Sequence, residues 1–255
     1  MRAAPEMWQN RGMNRALLLA VLLSAAVPSR ANINPFAQFQ SQARPDLLKP
    51  FALDLGGLLG SDSAHNGRTI GFPGFWAGAL GAFQAGPDKN DLILRNAGVK
   101  TFGLPMIEVG AGLPFKTDVI LHGTAMDGAK VFGAGLRYGL YRTDLIDSFL
   151  PNVSVAAFGD KVNDAAFTAA HGGFDAAATW NLPLVKPFFV AGYDVTKLTV
   201  GAATPYVASA ASATARGSRV SAGAIFTPLP FVDMRAAYTL RHGVSGVDLG
   251  LGVGF

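Results

Sequence analysis

Gly246-Val247-Asp248-Leu249-Gly250-Leu251-Gly252-Val253-Gly254-Phe255 closes the sequence. From Val247 to Phe255 every second residue is large and apolar, and the residues between are Gly or Asp. A period of two puts successive side chains on opposite faces of a strand. An apolar face backed by glycine and a carboxylate describes a strand with hydrocarbon on one side and a polar lumen on the other.

The pattern recurs upstream in segments of about ten residues, the length a tilted strand needs to cross a bilayer. Phe51, Leu53 and Leu55 alternate with Ala52, Asp54 and Gly56, and Ile107, Val109, Ala111 and Leu113 with Glu108, Gly110 and Gly112. Phe132, Ala134, Leu136, Tyr138 and Leu140 flank Arg137 and three glycines, and Phe174, Ala176, Ala178 and Trp180 alternate with Asp175, Ala177 and Thr179. Val220, Ala222, Ala224 and Phe226 follow Arg219, and Val232, Met234, Ala236, Tyr238 and Leu240 alternate with Asp233, Arg235, Ala237, Thr239 and Arg241. A soluble sandwich also alternates, but its outer faces carry many Lys, Thr and Ser, and lysines are few here. The reading is therefore all-β: a transmembrane antiparallel β-barrel.

Composition agrees. Half of the residues are hydrophobic and 15% charged, with 31 glycines and no cysteine. Beyond the N-terminus no apolar run approaches the ~20 residues of a membrane-spanning helix. The one long run, Leu17 to Val27, follows Asn14-Arg15 and ends at Pro28-Ser29-Arg30-Ala31. A basic start, an apolar stretch and small residues before the junction describe a secretory signal peptide over residues 1–31, cut between Ala31 and Asn32. The segment holds Arg2, Arg11, Arg15 and Arg30 against Glu6, three of the four net positive charges, so the exported chain is close to +1. That excludes a phosphate-tracking, nucleic-acid-binding surface.

Leu113-Pro114-Phe115, Leu182-Pro183-Leu184 and Pro228-Leu229-Pro230-Phe231 fall at alternate strand junctions, where a residue without an N–H is tolerated. The other junctions, Met126-Asp127-Gly128, Asn163 to Ala170, Gly201 to Gly217 and His242-Gly243, are looser and polar. Short turns face the periplasm in such barrels, so the Pro-bearing rim is expected there. Thr143 to Pro151 reads as a helical turn or two on that rim, capped by Thr143 and stopped by Pro151.

About eleven strand candidates emerge, and single-chain bacterial barrels have even numbers. Either residues 91–103 hold a poor strand, making about twelve, or the Phe51 segment lies outside the wall, making ten; twelve is the expectation. The barrel is assigned residues 51–255. Residues 32–50, with Phe36, Phe39, Leu47 and Leu48, are expected to form a short amphipathic helix at the periplasmic mouth or a plug.

The inward faces hold Asp54, Glu108, Asp175, Asp194, Asp233 and Asp248 against Arg137, Arg219, Arg235 and Arg241. Charges there must be paired or wet, so these residues either close the lumen by ion pairs or line a passage that selects a solute. Of the four histidines, His65, His171 and His242 are placed at or near the loose rim and only His122 inward on a strand. No Gly-x-Ser-x-Gly and no spacing that marks a Ser/His or Asp/His dyad is present, so no enzyme, metal or cofactor is expected. The Gly-x-Gly steps at 110–112, 133–135 and 250–254 read as lumen glycines, not phosphate loops, because no helix follows them.

With the strands placed, Val247-x-Leu249-x-Leu251-x-Val253-x-Phe255 looks like the assembly signal that the barrel-insertion machinery reads on outer-membrane barrels. Asp46-Leu47-Leu48-Lys49-Pro50-Phe51, Gly112-Leu113-Pro114-Phe115-Lys116-Thr117-Asp118-Val119 and Lys130-Val131-Phe132-Gly133-Ala134-Gly135-Leu136-Arg137-Tyr138-Gly139 are similar to a family of uncharacterised outer-membrane proteins, loosely like the long-chain fatty-acid transporters. The resemblance implies an outer-membrane location in a Gram-negative-type bacterium, with lipid and the assembly machinery as partners. Three functional expectations stay open: a channel or transporter for a small, apolar-leaning solute; a structural or surface-interaction barrel with a closed lumen; and a barrel hydrolase.

Overall fold

The computed structural model describes residues 36, 38–60, 66–126, 128–143 and 149–255. The signal peptide with its cleavage point, His65, and most of the Thr143–Pro151 turn lie outside these residues.

Ten strands form the wall: β1 (Phe75–Gln84), β2 (Phe102–Leu113), β3 (Thr117–Met126), β4 (Ala129–Tyr141), β5 (Asn152–Asn163), β6 (Phe167–Thr179), β7 (Val185–Val200), β8 (Ser212–Leu229), β9 (Val232–Arg241) and β10 (Val244–Gly254). Each pairs antiparallel with its sequence neighbour, and β1 closes on β10 with Trp76 opposite Gly254. No strand edge is left open, which satisfies backbone groups without water. The alternation places side chains as the period of two demands. Ile107 is 69% exposed on the outside, and its neighbour Glu108 is 6% exposed inside.

The count is therefore ten, not twelve, and both doubtful segments are helical. α1 (Phe39–Gln42) and α2 (Leu48–Leu59) precede the wall, and α3 (Leu92–Asn96) lies between β1 and β2. In Phe51 to Gly60 the alternation breaks at Gly56-Gly57 and Leu58-Leu59, so, Asp54 apart, the run is apolar on every side. A helix apolar all round must be buried, and every residue of α2 from Phe51 onward except Leu53 is buried. Pro50 falls in its first turn, where the N–H has no helical partner to lose. In α3, the Asp91 side chain caps the helix by accepting from Leu94 N at 3.1 Å, and Gly98 follows at φ +77°. That cap-and-stop pair was readable in the sequence.

One rim holds Phe75, Phe231 and Phe255, with Phe231 stacked on Phe255 at 5.3 Å. The Pro-bearing turns lie on this rim. The other rim carries the long connections 85–101 and 201–211, yet also the two-residue His242-Gly243 turn, both residues at positive φ. Both rims thus contain short turns, and the asymmetry is smaller than the sequence suggested.

In the β2–β3 turn Phe115 and Lys116 sit at φ +63° and +60°. A side chain in that region costs on the order of 1 kcal/mol. Lys116→Gly is expected to stabilise the barrel by about that much, read as a higher temperature for the heat-modifiable gel shift; no rise would contradict the turn geometry.

Candidate functional site: a lumen threaded by the N-terminal segment

Of the described residues before β1, Phe36 to Leu48 pack at the loose rim, and 66–74 lead into β1 from the opposite rim. At the loose rim Phe36, Phe39 and Phe51 pack on Phe102 of β2 and Phe167 of β6, with centroid separations of 4.8–6.1 Å. Ile93 and Leu94 of α3, and Val207 of the 201–211 connection, complete this cluster. α1 and the start of α2 therefore sit at the rim opposite Phe255.

α2 then enters the lumen. Asp54, expected on a strand face, is on this helix; it accepts from Gln84 Nε2 at 2.7 Å and Asp88 N at 2.8 Å, latching α2 to the end of β1. His242 Nδ1 lies 2.9 Å from Leu53 O. Gly56, Gly57 and Gly60 turn toward the wall, where a Cβ would overlap Thr196, crowd Arg241 and overlap Arg219 respectively. Glycine is needed at these close approaches. Further on, Gly67 N donates to Thr179 Oγ1 at 2.8 Å, Ser154 Oγ to Asn66 O at 3.1 Å, and Ile70 N to Asp118 at 3.0 Å.

Around α2 the wall carries a belt of buried charge. Arg219 reaches Asp175 at 2.5 Å and Asp194 at 3.0 Å, and His242 Nε2 meets Asp194 at 3.2 Å. Arg241 pairs with Asp248, which also accepts from Thr239. His122 contacts Asp160, and His171 donates or accepts at Thr196 Oγ1 over 2.8 Å while its Nε2 stands 4.0 Å from Asp160. Nearer the Phe255 rim, Arg137 pairs with Asp118 at 2.7 Å and Arg235 approaches Glu108 to 3.8 Å. Asp233 lies 3.9 Å from Lys186.

The structure brings Asp175, Asp194 and Arg219 together, and Arg241 with Asp248, but keeps Asp54 apart on the helix. Asp118, Asp160 and Thr196 are structural participants that sequence reading missed. His242 stands in the loose-rim turn with its side chain turned onto Asp194, and His171, expected at or near that rim, is buried on β6 beside Thr196. The parity of Asp118 with Ile120 and of Asp160 with Phe158 would have marked these carboxylates as inward. Among the described residues no group of three or more His, Cys, Asp or Glu side chains is placed to hold a metal ion.

At the loose rim two carboxyls lie together. Burial raises the pKa of Asp54, and raises that of Asp91 to about 8, the neighbouring Asp54 charge adding to the effect. The undocked chain would lose the Asp91 proton near 3.8. Between these values the docked form holds a proton that the undocked form has lost, so stability falls as pH rises toward about 8 and then levels off. Asp91→Asn is expected to flatten this decline, measured as the unfolding midpoint from about pH 5 to about pH 9; an unchanged slope would contradict it.

Below the plug a cavity of about 480 Å³ opens at the Phe255 rim, bounded by the 66–70 segment, Trp76, Glu108, Lys186, Phe231 and Arg235 among others.

No family model and no curated protein matches the chain. Among solved structures it is similar to the N-terminal β-barrel domain of Pseudomonas aeruginosa OprF, at 14% identity over 70% of this chain and 97% of that one, with a TM-score of 0.34. It is also similar to Neisserial surface protein A, at 15% identity over 71% and 95% with a TM-score of 0.30. For the Acinetobacter baumannii outer membrane protein Omp33 the values are 9%, 74% and 100%, with a TM-score of 0.33.

Proposed function

We propose that this protein is an outer-membrane β-barrel of a Gram-negative-type bacterium, sealed by its own N-terminal segment rather than open as a pore. The observation that carries this reading is the passage of that segment through the lumen, with α2 buried on nearly every side. The outward face supports the membrane assignment. On β7 it runs Phe189, Ala191, Tyr193 and Val195 before Lys197, and on β8 Phe226, Ala224, Ala222 and Val220 before Ser218 and Arg216. An apolar band bounded by charge fits hydrocarbon bounded by headgroups. The chain would be exported by cleavage after Ala31 and inserted by the assembly machinery through Val247, Leu249, Leu251, Val253 and Phe255. The Phe255 rim then faces the periplasm, and α1 the exterior.

In planar bilayers the full chain is expected to be electrically silent, and a variant lacking residues 32–60 to conduct steadily. Gly56→Leu, which pushes α2 off Thr196 and His171, is expected to flicker. Steady conductance by the full chain would overturn the sealed reading.

The belt of lumen charges supports a second reading, passage of a small solute when the plug withdraws. In that case Arg219, Asp194 and Asp175 would line the opened path, and conductance would follow an applied stimulus instead of deletion.

A further inference from the structure

The outward face of the wall carries its charge on one side of the barrel. On β9, β10, β1, β2 and β3 the outward positions hold no charged residue. On β4, β5 and β7 the outward apolar run ends toward the loose rim in Lys130, Lys161 and Lys197, and on β8 it ends, after Ser218, in Arg216. All four cations are exposed, and among the described residues none of them pairs with a carboxylate. The carboxylates of this sector, Asp160, Asp175 and Asp194, are buried on the inward face. An apolar band alone would need a charged boundary all round, so a boundary confined to β4–β8 calls for a separate cause.

Register gathers three of the cations. Lys161, Ala170, Lys197 and Thr214 lie side by side on β5 to β8. In the adjoining outward row Gly159, Gly172 and Val195 lead to Arg216. The two lysines are two strand spacings apart, about 10 Å, and the surface between them is built of Ala170, Gly159 and Gly172. Three cations therefore stand around a low floor, and their mutual repulsion is a cost that an anion would remove. In the next row Phe174 and Tyr193 lie side by side, with ring centroids 6.2 Å apart. A soluble anion would use the charges and leave this apolar wall unused. A lipid uses both.

We propose that this sector binds one lipid of the surrounding leaflet whose headgroup bears two phosphates. One phosphate meets Lys161, the other meets Lys197 and Arg216, the headgroup covers Ala170 and Gly172, and the acyl chains run along Phe174 and Tyr193. The site rests on the membrane reading above, but on neither the plug nor the orientation of the barrel.

The test uses the full chain in detergent micelles, with bound lipid counted by native mass spectrometry. Three lipids are titrated: lipid A with two phosphates, its monophosphoryl form, and zwitterionic phosphatidylethanolamine. One lipid A per barrel is expected, with the monophosphoryl form weaker by about fivefold and phosphatidylethanolamine at background. Lys161→Gln and Lys197→Gln are each expected to weaken lipid A about fivefold, and together about 25-fold. Ala170→Leu, which raises the exposed floor without touching charge, is expected to weaken it as well. Lys116→Gln, at the other rim, should change nothing. Inorganic pyrophosphate at the concentration of the lipid is expected not to displace it; displacement would replace the lipid by a soluble polyanion and overturn the proposal. The heat-modifiable gel shift verifies that each variant is folded. Its absence in the parent chain would sink the membrane reading and this site with it. A folded barrel that binds the three lipids alike, or ignores the double substitution, would overturn this site and leave the membrane reading standing.

Discussion

A cysteine placed at Gln40 is expected to react with a membrane-impermeant maleimide in intact cells, whereas one placed at Phe115 reacts only after the outer membrane is opened. The chain contains no cysteine of its own, so each label reports one position. Gln40 is exposed on α1 at the loose rim, and Phe115 is 89% exposed at the tip of the β2–β3 turn on the other rim. The expected result is all-or-none, because a bilayer lies between the positions. If Gln40→Cys stays protected in intact cells while Phe115→Cys is labelled, the orientation is reversed. If both stay protected until lysis, the threading is wrong.

The second large effect concerns the belt. Arg219→Met should cost about 3–5 kcal/mol, since it leaves Asp175 and Asp194 buried without their counter-charge. Arg219 is 2% exposed and lies where a Cβ on Gly60 would collide with it, so its loss also loosens the seat of the plug. Arg219→Lys should recover only part of the loss, because one ammonium cannot serve two carboxylates as a planar fork does. The midpoint of urea unfolding in detergent reads the difference. A midpoint for Arg219→Met within error of the parent would show that the ion triad contributes little.

Much of the wall was legible in the sequence. Ile107 against Glu108, Phe174 against Asp175 and Tyr238 against Thr239 fall on opposite faces as their parity requires, and a closed antiparallel barrel follows from repeated segments of that kind. The failures cluster at Phe51 to Gly60 and at residues 91–103. Over five residues a period of two and an unbroken apolar run look alike, and what separates them here is the Gly-Gly and Leu-Leu steps that break parity. Asp91 and Gly98 carry a helix signature, cap and stop, over a stretch too short for its apolar period to show.

The belt was half legible. Parity marks a carboxylate as inward, but whether it meets an arginine depends on register between strands far apart in sequence. Asp175, Asp194 and Arg219 come from β6, β7 and β8, and His122 of β3 meets Asp160 of β5 over Gly133 of β4, a register that no local pattern reveals. His171 is inward by parity too, yet its place under α2 depends on a helix more than a hundred residues earlier.

What the sequence determined by itself is the class of wall: Val247 to Phe255 and its upstream repeats allow one face toward hydrocarbon and one toward a lumen, because a strand has only two faces. What only the tertiary structure decided is what fills that lumen. A helix apolar on every side but for Asp54 records that it must be buried but not where, and the interior of the barrel that receives α2 exists only after ten strands have closed. The glycines at 56, 57 and 60 acquire their meaning from side chains that closure brings to them.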